Sequence, residues 1–178
     1  MLVLQLELPD LAATQHLGAL LADGLAVGDV ISLSGPLGVG KSALARAIII
    51  SANPNETDIP SPTFSLVQTY ELADRTPLWH LDLYRIESPE DAMQLGLDDA
   101  FVDAVCLIEW PDRLEKFLPK STLSVHLCQA DGDDLDDAAG IRLAKITAPP
   151  HWADRLQAII VKKNMMVKII NYTLNSIL

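Results

Sequence analysis

The sequence has 178 residues, a formal net charge of -11 at pH 7, and hydrophobic side chains at 49% of its positions. This length is typical of one domain, and the apolar fraction is sufficient for a hydrophobic core. Because binding to nucleic-acid phosphates requires clustered Lys and Arg, the acidic charge argues against direct contact with free nucleic acid. An acidic protein can still act on RNA through a basic partner.

The two cysteines, Cys106 and Cys128, form no C-x-x-C pair and no Cys/His cluster with zinc spacing. The first residues, MLVLQLELPD, lack the basic start and long apolar region of a signal peptide. No run reaches the roughly 18 uninterrupted apolar residues of a membrane span. We therefore expect a cytoplasmic protein without a disulfide framework, a zinc site or a membrane segment.

In chain order, residues 2–8 alternate and predict a strand, and Asp10 is placed to cap the helix that follows. DVISLSG predicts a short apolar strand that leads into GPLGVGKS, after which a helix runs from Ser42 toward Ala52. Residues 55–64, NETDIPSPTF, contain two prolines and no periodicity, so they predict a loop.

The second half of the chain predicts further strands and short helices. FSLVQTYEL and LWHLDLY read as successive strands joined by ADRTP, and SPEDAMQLGL starts a helix with Ser88 as cap and Pro89 in the first position. AVCLIEW predicts a buried strand, and PDRLEKFLP predicts a short helix between prolines. STLSVHLCQA and GIRLAKITA predict two more strands around the acidic turn DGDDLDDAA.

The last segment, residues 161–178, contains three Lys, three Asn and no acidic residue, unlike the acidic chain before it. Three interpretations are open: an amphipathic extension that docks on a partner or membrane surface, a last helix of the domain, or an appended segment. We favour the appended segment. We therefore predict a domain over residues 1–160 and a C-terminal tail over residues 161–178 without a catalytic role.

Residues 35–42 match the phosphate-binding pattern G-x-x-x-x-G-K-[ST] in full. Glycines let the backbone wrap a phosphate, and the N–H groups and the helix N-terminus attract its charge. Lys41 is expected to reach the β- and γ-phosphates, and Ser42 to offer its hydroxyl to Mg²⁺. The residues expected to hold the nucleotide here are Gly35, Pro36, Leu37, Gly38, Val39, Gly40, Lys41, Ser42 and Ala43.

Magnesium at such a loop needs a carboxylate besides the Ser42 hydroxyl. Glu109 ends the apolar run AVCLIEW, which favours it by position, and Asp82 faces the opposite side of its strand from two leucines. The alternatives are a strand cap for Glu109 and a solvent-facing strand residue for Asp82. Thr63, in the loop SPTF, stands where a nucleotide switch often lies, although an ordinary turn fits equally well.

Three nearby side chains have open roles. His80 either positions water or packs in the core, and we favour packing. Arg85 contacts phosphate or pairs with Asp82 or Glu87. Trp110 packs over the site or anchors a partner.

Two motifs of other nucleotide-binding classes are absent from the sequence. The absence of N-K-x-D removes the guanine-reading motif of GTPases, and the absence of an LSGGQ-like signature argues against a transporter ATPase.

The motifs GPLGVGKS, SPTFSLVQTYE, WHLDLYR, LGLDDAF and CLIEWPDRL, in this order, resemble those of the bacterial TsaE (YjeE) family over about residues 5 to 155. The P-loop is common to many families, whereas SPTF followed by H-x-D-x-Y-R and E-W-P is specific. The resemblance implies a single α/β domain of the P-loop NTPase-like type. Its central sheet is expected to be mostly parallel, with antiparallel additions and flanking helices.

The resemblance also implies an ATPase that binds ATP and Mg²⁺ and hydrolyses ATP slowly. It implies action with TsaB and TsaD, which transfer threonylcarbamoyl to adenosine 37 of tRNAs that read ANN codons, so that tRNA is met only through the complex. By motif position, the catalytic residues are Lys41, Thr63, Asp82 and Glu109, the metal ligands are Ser42, Asp82 and Glu109, and Trp110 lies beside the nucleotide.

Two other functions remain possible from the residues. One is a small-molecule kinase that uses the same loop. The sequence contains no Arg-rich lid, and this absence disfavours the kinase. The other is a nucleotide-dependent adapter without significant hydrolysis, because both acids could serve only the metal.

Overall fold

One mixed β-sheet organises the chain, whose computed structural model describes residues 1–56, 58–130, 140–163 and 169–174. The strands are β1 (Leu2–Leu8), β2 (Val30–Ser34), β3 (Val67–Glu71), β4 (Pro77–Asp82), β5 (Val105–Glu109), β6 (Leu123–Gln129), β7 (Arg142–Ala148) and β8 (Ile169–Leu174). The helices are α1 (Leu11–Ala22), α2 (Lys41–Ala52), α3 (Pro89–Met93), α4 (Leu97–Asp103) and α5 (Pro150–Lys163).

The strand order is β3-β4-β5-β2-β6-β7-β1-β8. The four neighbours β4, β5, β2 and β6 run parallel, and β3, β7, β1 and β8 add antiparallel pairings on the two sides. This confirms the expected P-loop NTPase-like α/β fold. Because β2, β4 and β5 are parallel, their carboxyl ends meet at one edge of the sheet, where open α/β sheets bind ligands.

Alternating side chains of β5 separate the interior into two hydrophobic clusters. Val105 and Leu107 belong to a cluster that includes α1, α2 and the buried Trp152 of α5. Cys106 and Ile108 belong to the cluster that includes α3 and α4. Both faces of β5 are therefore covered, which agrees with the near-continuous apolar sequence of this strand.

The expected helix caps are confirmed. The carboxylate of Asp10 accepts a hydrogen bond from the backbone N–H of Ala13 at 2.7 Å, and Ser88 Oγ accepts one from Asp91 at 3.1 Å. The short helix expected in PDRLEKFLP was wrong in form, because two 3-10 turns, Pro111–Arg113 and Glu115–Phe117, occupy this stretch. Glu115 has φ 46°, a left-handed backbone that does not fit a continuous α-helix.

Near the C-terminus, α5 continues to Lys163, past the predicted domain boundary at residue 160. Further along, β8 pairs antiparallel with β1. The division into a domain and a tail stays a prediction. The predicted acidic turn at 131–139 lies outside the described residues.

A search of the described helices finds none with the length and apolar character needed to span a membrane.

Candidate active site

The glycine-rich loop lies between the end of β2 and the start of α2. Gly35, Gly38 and Gly40 have φ values of 133°, 78° and 112°, a region that side chains disfavour. A Cβ on Gly35 would also overlap the carbonyl oxygen of Leu127 in β6, whereas one on Gly38 would meet nothing within 4 Å. The shape of the loop therefore depends on glycine, most strictly at Gly35.

The side chain of Lys41 is buried, with 4% of its surface exposed. Its Nζ donates hydrogen bonds to the carbonyl oxygens of Gly35 at 2.9 Å and Pro36 at 2.7 Å. The same ammonium lies 4.0 Å from the centroid of the Trp110 ring, a cation–π contact. Burial lowers the pKa of Lys41, and the carboxylates of Glu109 and Asp82 partly oppose that shift.

Asp82 and Glu109 lie side by side, because they are register partners at the ends of the parallel strands β4 and β5. They are 5% and 2% exposed, so Asp82 is not a solvent-facing strand residue. Ser42 Oγ donates to Glu109 Oε2 at 2.8 Å, and Thr63 Oγ1 donates to Asp82 Oδ2 at 2.8 Å. Asp82 Oδ1 accepts from the backbone N–H of Tyr84 at 3.0 Å. Two separate side-chain pairs thus connect α2 to Glu109 and the SPTF loop to Asp82.

Thr63 reaches the site from a turn in which the backbone N–H of Leu66 donates to the carbonyl of Pro62 at 2.7 Å. Its hydroxyl also lies 2.8 Å from that of Ser61. The next residue, Phe64, is 84% exposed, and the guanidinium of Arg85 stacks 4.6 Å from its ring centroid. Arg85 therefore meets an aromatic ring instead of either acid that the sequence offered as its partner.

Trp110 follows β5 directly with φ 60° and ψ 53°, an uncommon conformation for an aromatic residue. Its backbone N–H donates to the carbonyl of Leu33 at 3.3 Å, and its ring packs on Tyr84 with centroids 4.9 Å apart. This turn brings the ring over Lys41. The sequence did not single out Tyr84, although its place in H-x-D-x-Y-R was the available signal.

These residues surround a cavity of about 340 Å³ at the carboxyl edge of the parallel strands. Of the residues expected at the site, all line this cavity except Gly35, Pro36 and Val39. The carbonyls of Gly35 and Pro36 hold Lys41, and Val39 is a core residue with 2% exposure. Tyr84 and Arg85 complete the wall.

The oxygen atoms of Ser42, Asp82 and Glu109 fit a Mg²⁺ ion, which prefers hard oxygen ligands. Among the residues that the structure describes, no group of three or more His, Cys, Asp or Glu side chains could hold a metal without other ligands. A magnesium ion commonly takes only one or two protein carboxylates and completes its coordination with phosphate oxygens and water. That pattern is usual at P-loops.

Comparison with known proteins gives consistent results. The family model described as "Threonylcarbamoyl adenosine biosynthesis protein TsaE" matches residues 8–136. A Rickettsia felis protein named tRNA threonylcarbamoyladenosine biosynthesis protein TsaE is 40% identical over 114 residues, which is 64% of this chain and 66% of that protein. A Nostoc protein of the same name is 36% identical over 145 residues, 79% of this chain and 83% of that protein.

A solved structure, that of Bacillus YdiB, superposes with a TM-score of 0.71 over 92% of this chain and 99% of that protein. Its sequence identity is 24%, so this likeness supports the fold alone.

Proposed function

The chain belongs to the TsaE family, and on this premise we propose that it binds ATP with Mg²⁺, hydrolyses it slowly and serves tRNA threonylcarbamoyladenosine biosynthesis. The observation that carries the proposal is the convergence of Lys41, Ser42, Thr63 and both acids on one cavity. A P-loop lysine and a hydroxyl–carboxylate set are the parts that phosphoryl transfer from a nucleotide requires.

Each part has a distinct task in this proposal. The backbone N–H groups of the P-loop and the Lys41 ammonium bind the phosphates and stabilise the charge that develops on them. Ser42, Asp82 and Glu109 hold Mg²⁺, which supplies further charge neutralisation when it is bound. Thr63, now hydrogen-bonded to Asp82, links nucleotide occupancy to the position of the SPTF loop.

We further propose that the ATP cycle supports repeated turnover by TsaB and TsaD, which carry out the transfer to adenosine 37 of ANN-reading tRNAs. The net charge of -11 supports a division in which the partners, and not this chain, hold the tRNA. Beside the cavity, Phe64 and Leu37 are 84% and 63% exposed, which leaves apolar surface for a protein partner. The tRNA substrate would place this work in the cytoplasm.

The test is an ATPase assay on the purified chain with and without the TsaB–TsaD pair. We expect slow Mg²⁺-dependent hydrolysis alone and a marked increase with the pair. Asp82→Asn and Glu109→Gln should each raise the Mg²⁺ concentration needed for half-maximal activity. Nucleotide binding without hydrolysis in either condition would indicate an adapter, and phosphate transfer to a metabolite without partners would indicate a kinase.

A further inference from the structure

His80 lies on β4, two residues before Asp82, and points to the same face of the sheet. The residues on either side of it along this face are Leu78, which belongs to the core, and Asp82, which lines the cavity. His80 is 1% exposed and does not line the cavity itself. It is thus a buried polar side chain between the core and the candidate site.

The single polar contact described for the imidazole is with Glu109. His80 Nε2 lies 2.9 Å from Glu109 Oε1, and no described residue bonds to the buried Nδ1. Since a carboxylate oxygen accepts, Nε2 carries the hydrogen and donates it. A leucine at this position would pack without an unsatisfied nitrogen, so core packing alone does not explain a histidine here.

The two oxygens of the Glu109 carboxylate have different hydrogen-bond partners. Oε1 accepts from His80, and Oε2 accepts from Ser42 Oγ at 2.8 Å. Ser42 and Glu109 line the cavity, whereas His80 stands behind them. The imidazole therefore fixes the orientation of the carboxylate from the core side and keeps Oε2 directed at the hydroxyl and the cavity.

We propose that His80 is a positioning residue for Glu109, and this rests on the proposed Mg²⁺-dependent ATP binding and hydrolysis. Partners that orient a metal-binding carboxylate from behind commonly matter nearly as much as the ligand itself. His80 makes no contact with nucleotide in this role. Its effect passes through Oε1 of Glu109 alone.

The test compares His80→Gln, which can place its amide N–H near the position of Nε2, with the shorter His80→Asn, which places it near Nδ1. We expect His80→Asn to lower kcat and the Mg²⁺-dependent gain in ATP affinity by about 10- to 100-fold. His80→Gln should recover most of that loss. Because KM approximates the dissociation constant when turnover is slow, the KM for ATP in the presence of Mg²⁺ should rise with that loss, whereas the affinity for ATP without Mg²⁺ should stay near the wild-type value. Both variants should show similar melting temperatures.

Titration calorimetry of ATP, with and without Mg²⁺, provides the readout that is independent of turnover. In a Glu109→Ala background, His80→Asn should have little further effect on the Mg²⁺-dependent gain, because the two residues act as a unit. Equal loss in the Gln and Asn variants, or full additivity with Glu109→Ala, would overturn the positioning role. If His80→Asn does not fold, His80→Leu replaces it in both backgrounds, because leucine keeps the apolar packing but has no donor for Glu109 Oε1: an additive loss rejects the role.

A wild-type chain that gains ATP affinity from Mg²⁺ but does not hydrolyse ATP would reject the proposed ATPase, while the affinity measurements would still decide the role of His80. A wild-type chain without any Mg²⁺-dependent gain would reject both.

Discussion

The P-loop and the SPTF loop bound the same cavity, but they are held in different ways. The P-loop joins β2 directly to α2, its Val39 and Lys41 are buried, and its Gly35 packs against the backbone of β6. In the SPTF loop, Thr63 reaches Asp82 through one side-chain hydrogen bond, and the neighbouring Phe64 is almost fully exposed.

The second loop has two buried residues, Ile59 before the SPTF motif and Pro62 within it. Ile59 is 5% exposed, and its carbonyl accepts a hydrogen bond from Arg46 Nε of α2 at 2.8 Å. Between Ile59 and β3 only Pro62 is buried, and segments with so few buried apolar residues open at low free-energy cost. The P-loop is thus held by buried contacts, whereas the SPTF loop depends largely on Pro62 and on the contact of Thr63 with Asp82, which suits the switch proposed for Thr63.

The largest expected effect comes from removing the positive charge of Lys41 in the P-loop. Lys41→Met keeps much of the apolar length but loses the ammonium, and we expect ATP affinity or turnover to fall by about 100- to 1,000-fold. Titration calorimetry and an ATPase assay measure the two quantities. Wild-type values for both in the Met variant would show that the P-loop assignment is mistaken.

Two alanine substitutions separate the fixed shape of the P-loop from simple backbone strain. Gly35→Ala adds a clash with the Leu127 carbonyl to an unfavourable φ, and we expect it to lower the free energy of unfolding by about 3 kcal/mol. Gly38→Ala meets open space, so it should cost only about 1 to 2 kcal/mol. Urea unfolding measures both, and equal costs would contradict the account of a loop fitted against β6.

On the other side of the cavity, Thr63→Val removes the hydroxyl that binds Asp82 while it keeps the shape of the side chain. We expect an approximately tenfold fall in kcat, consistent with the loss of one positioned hydrogen bond, with little change in stability. Ser61→Ala is the matched control, because Ser61 contacts the Thr63 hydroxyl but neither acid. The idea of a Thr63 switch fails if the two variants lose activity equally.

The smallest expected effect needs no substitution. Backbone amides of residues 58–65 should exchange hydrogen faster than those of α2. Binding of Mg-ATP should lower the exchange rate of the loop amides more than that of the helix amides. Hydrogen–deuterium exchange by mass spectrometry measures this directly. Equal protection of this loop and of α2 in the absence of nucleotide would contradict the contrast between a firmly held P-loop and a loosely held SPTF loop.

The sequence was most informative where one short segment defines a complete local structure. G-x-x-x-x-G-K-[ST] between an apolar strand and a helix predicted the loop, and Asp10 and Ser88 predicted two helix starts. The turn between β3 and β4 was also predictable, because the alternating runs on its two sides are short and successive.

Contacts between distant segments were not predictable in the same way. Nothing local shows that β4 and β5 pair in the register that sets Asp82 beside Glu109, or that His80 reaches Glu109 from the core side. The ring of Trp110 covers Lys41 because its backbone takes a left-handed conformation. The sequence E-W-P does not predict this conformation. The prediction that His80 packs in the core was based on the pattern of one strand. It therefore did not include the hydrogen bond to Glu109 on the neighbouring strand.

The measurement that most directly tests the central claim is a reconstituted tRNA threonylcarbamoylation with TsaB, TsaD, threonylcarbamoyl-adenylate and tRNA. The modified adenosine is counted per TsaB–TsaD pair, with ATP and either the wild-type chain or Lys41→Met. The account predicts repeated rounds with the wild type and a halt near one round with the variant. Equal, repeated turnover with both chains would contradict it.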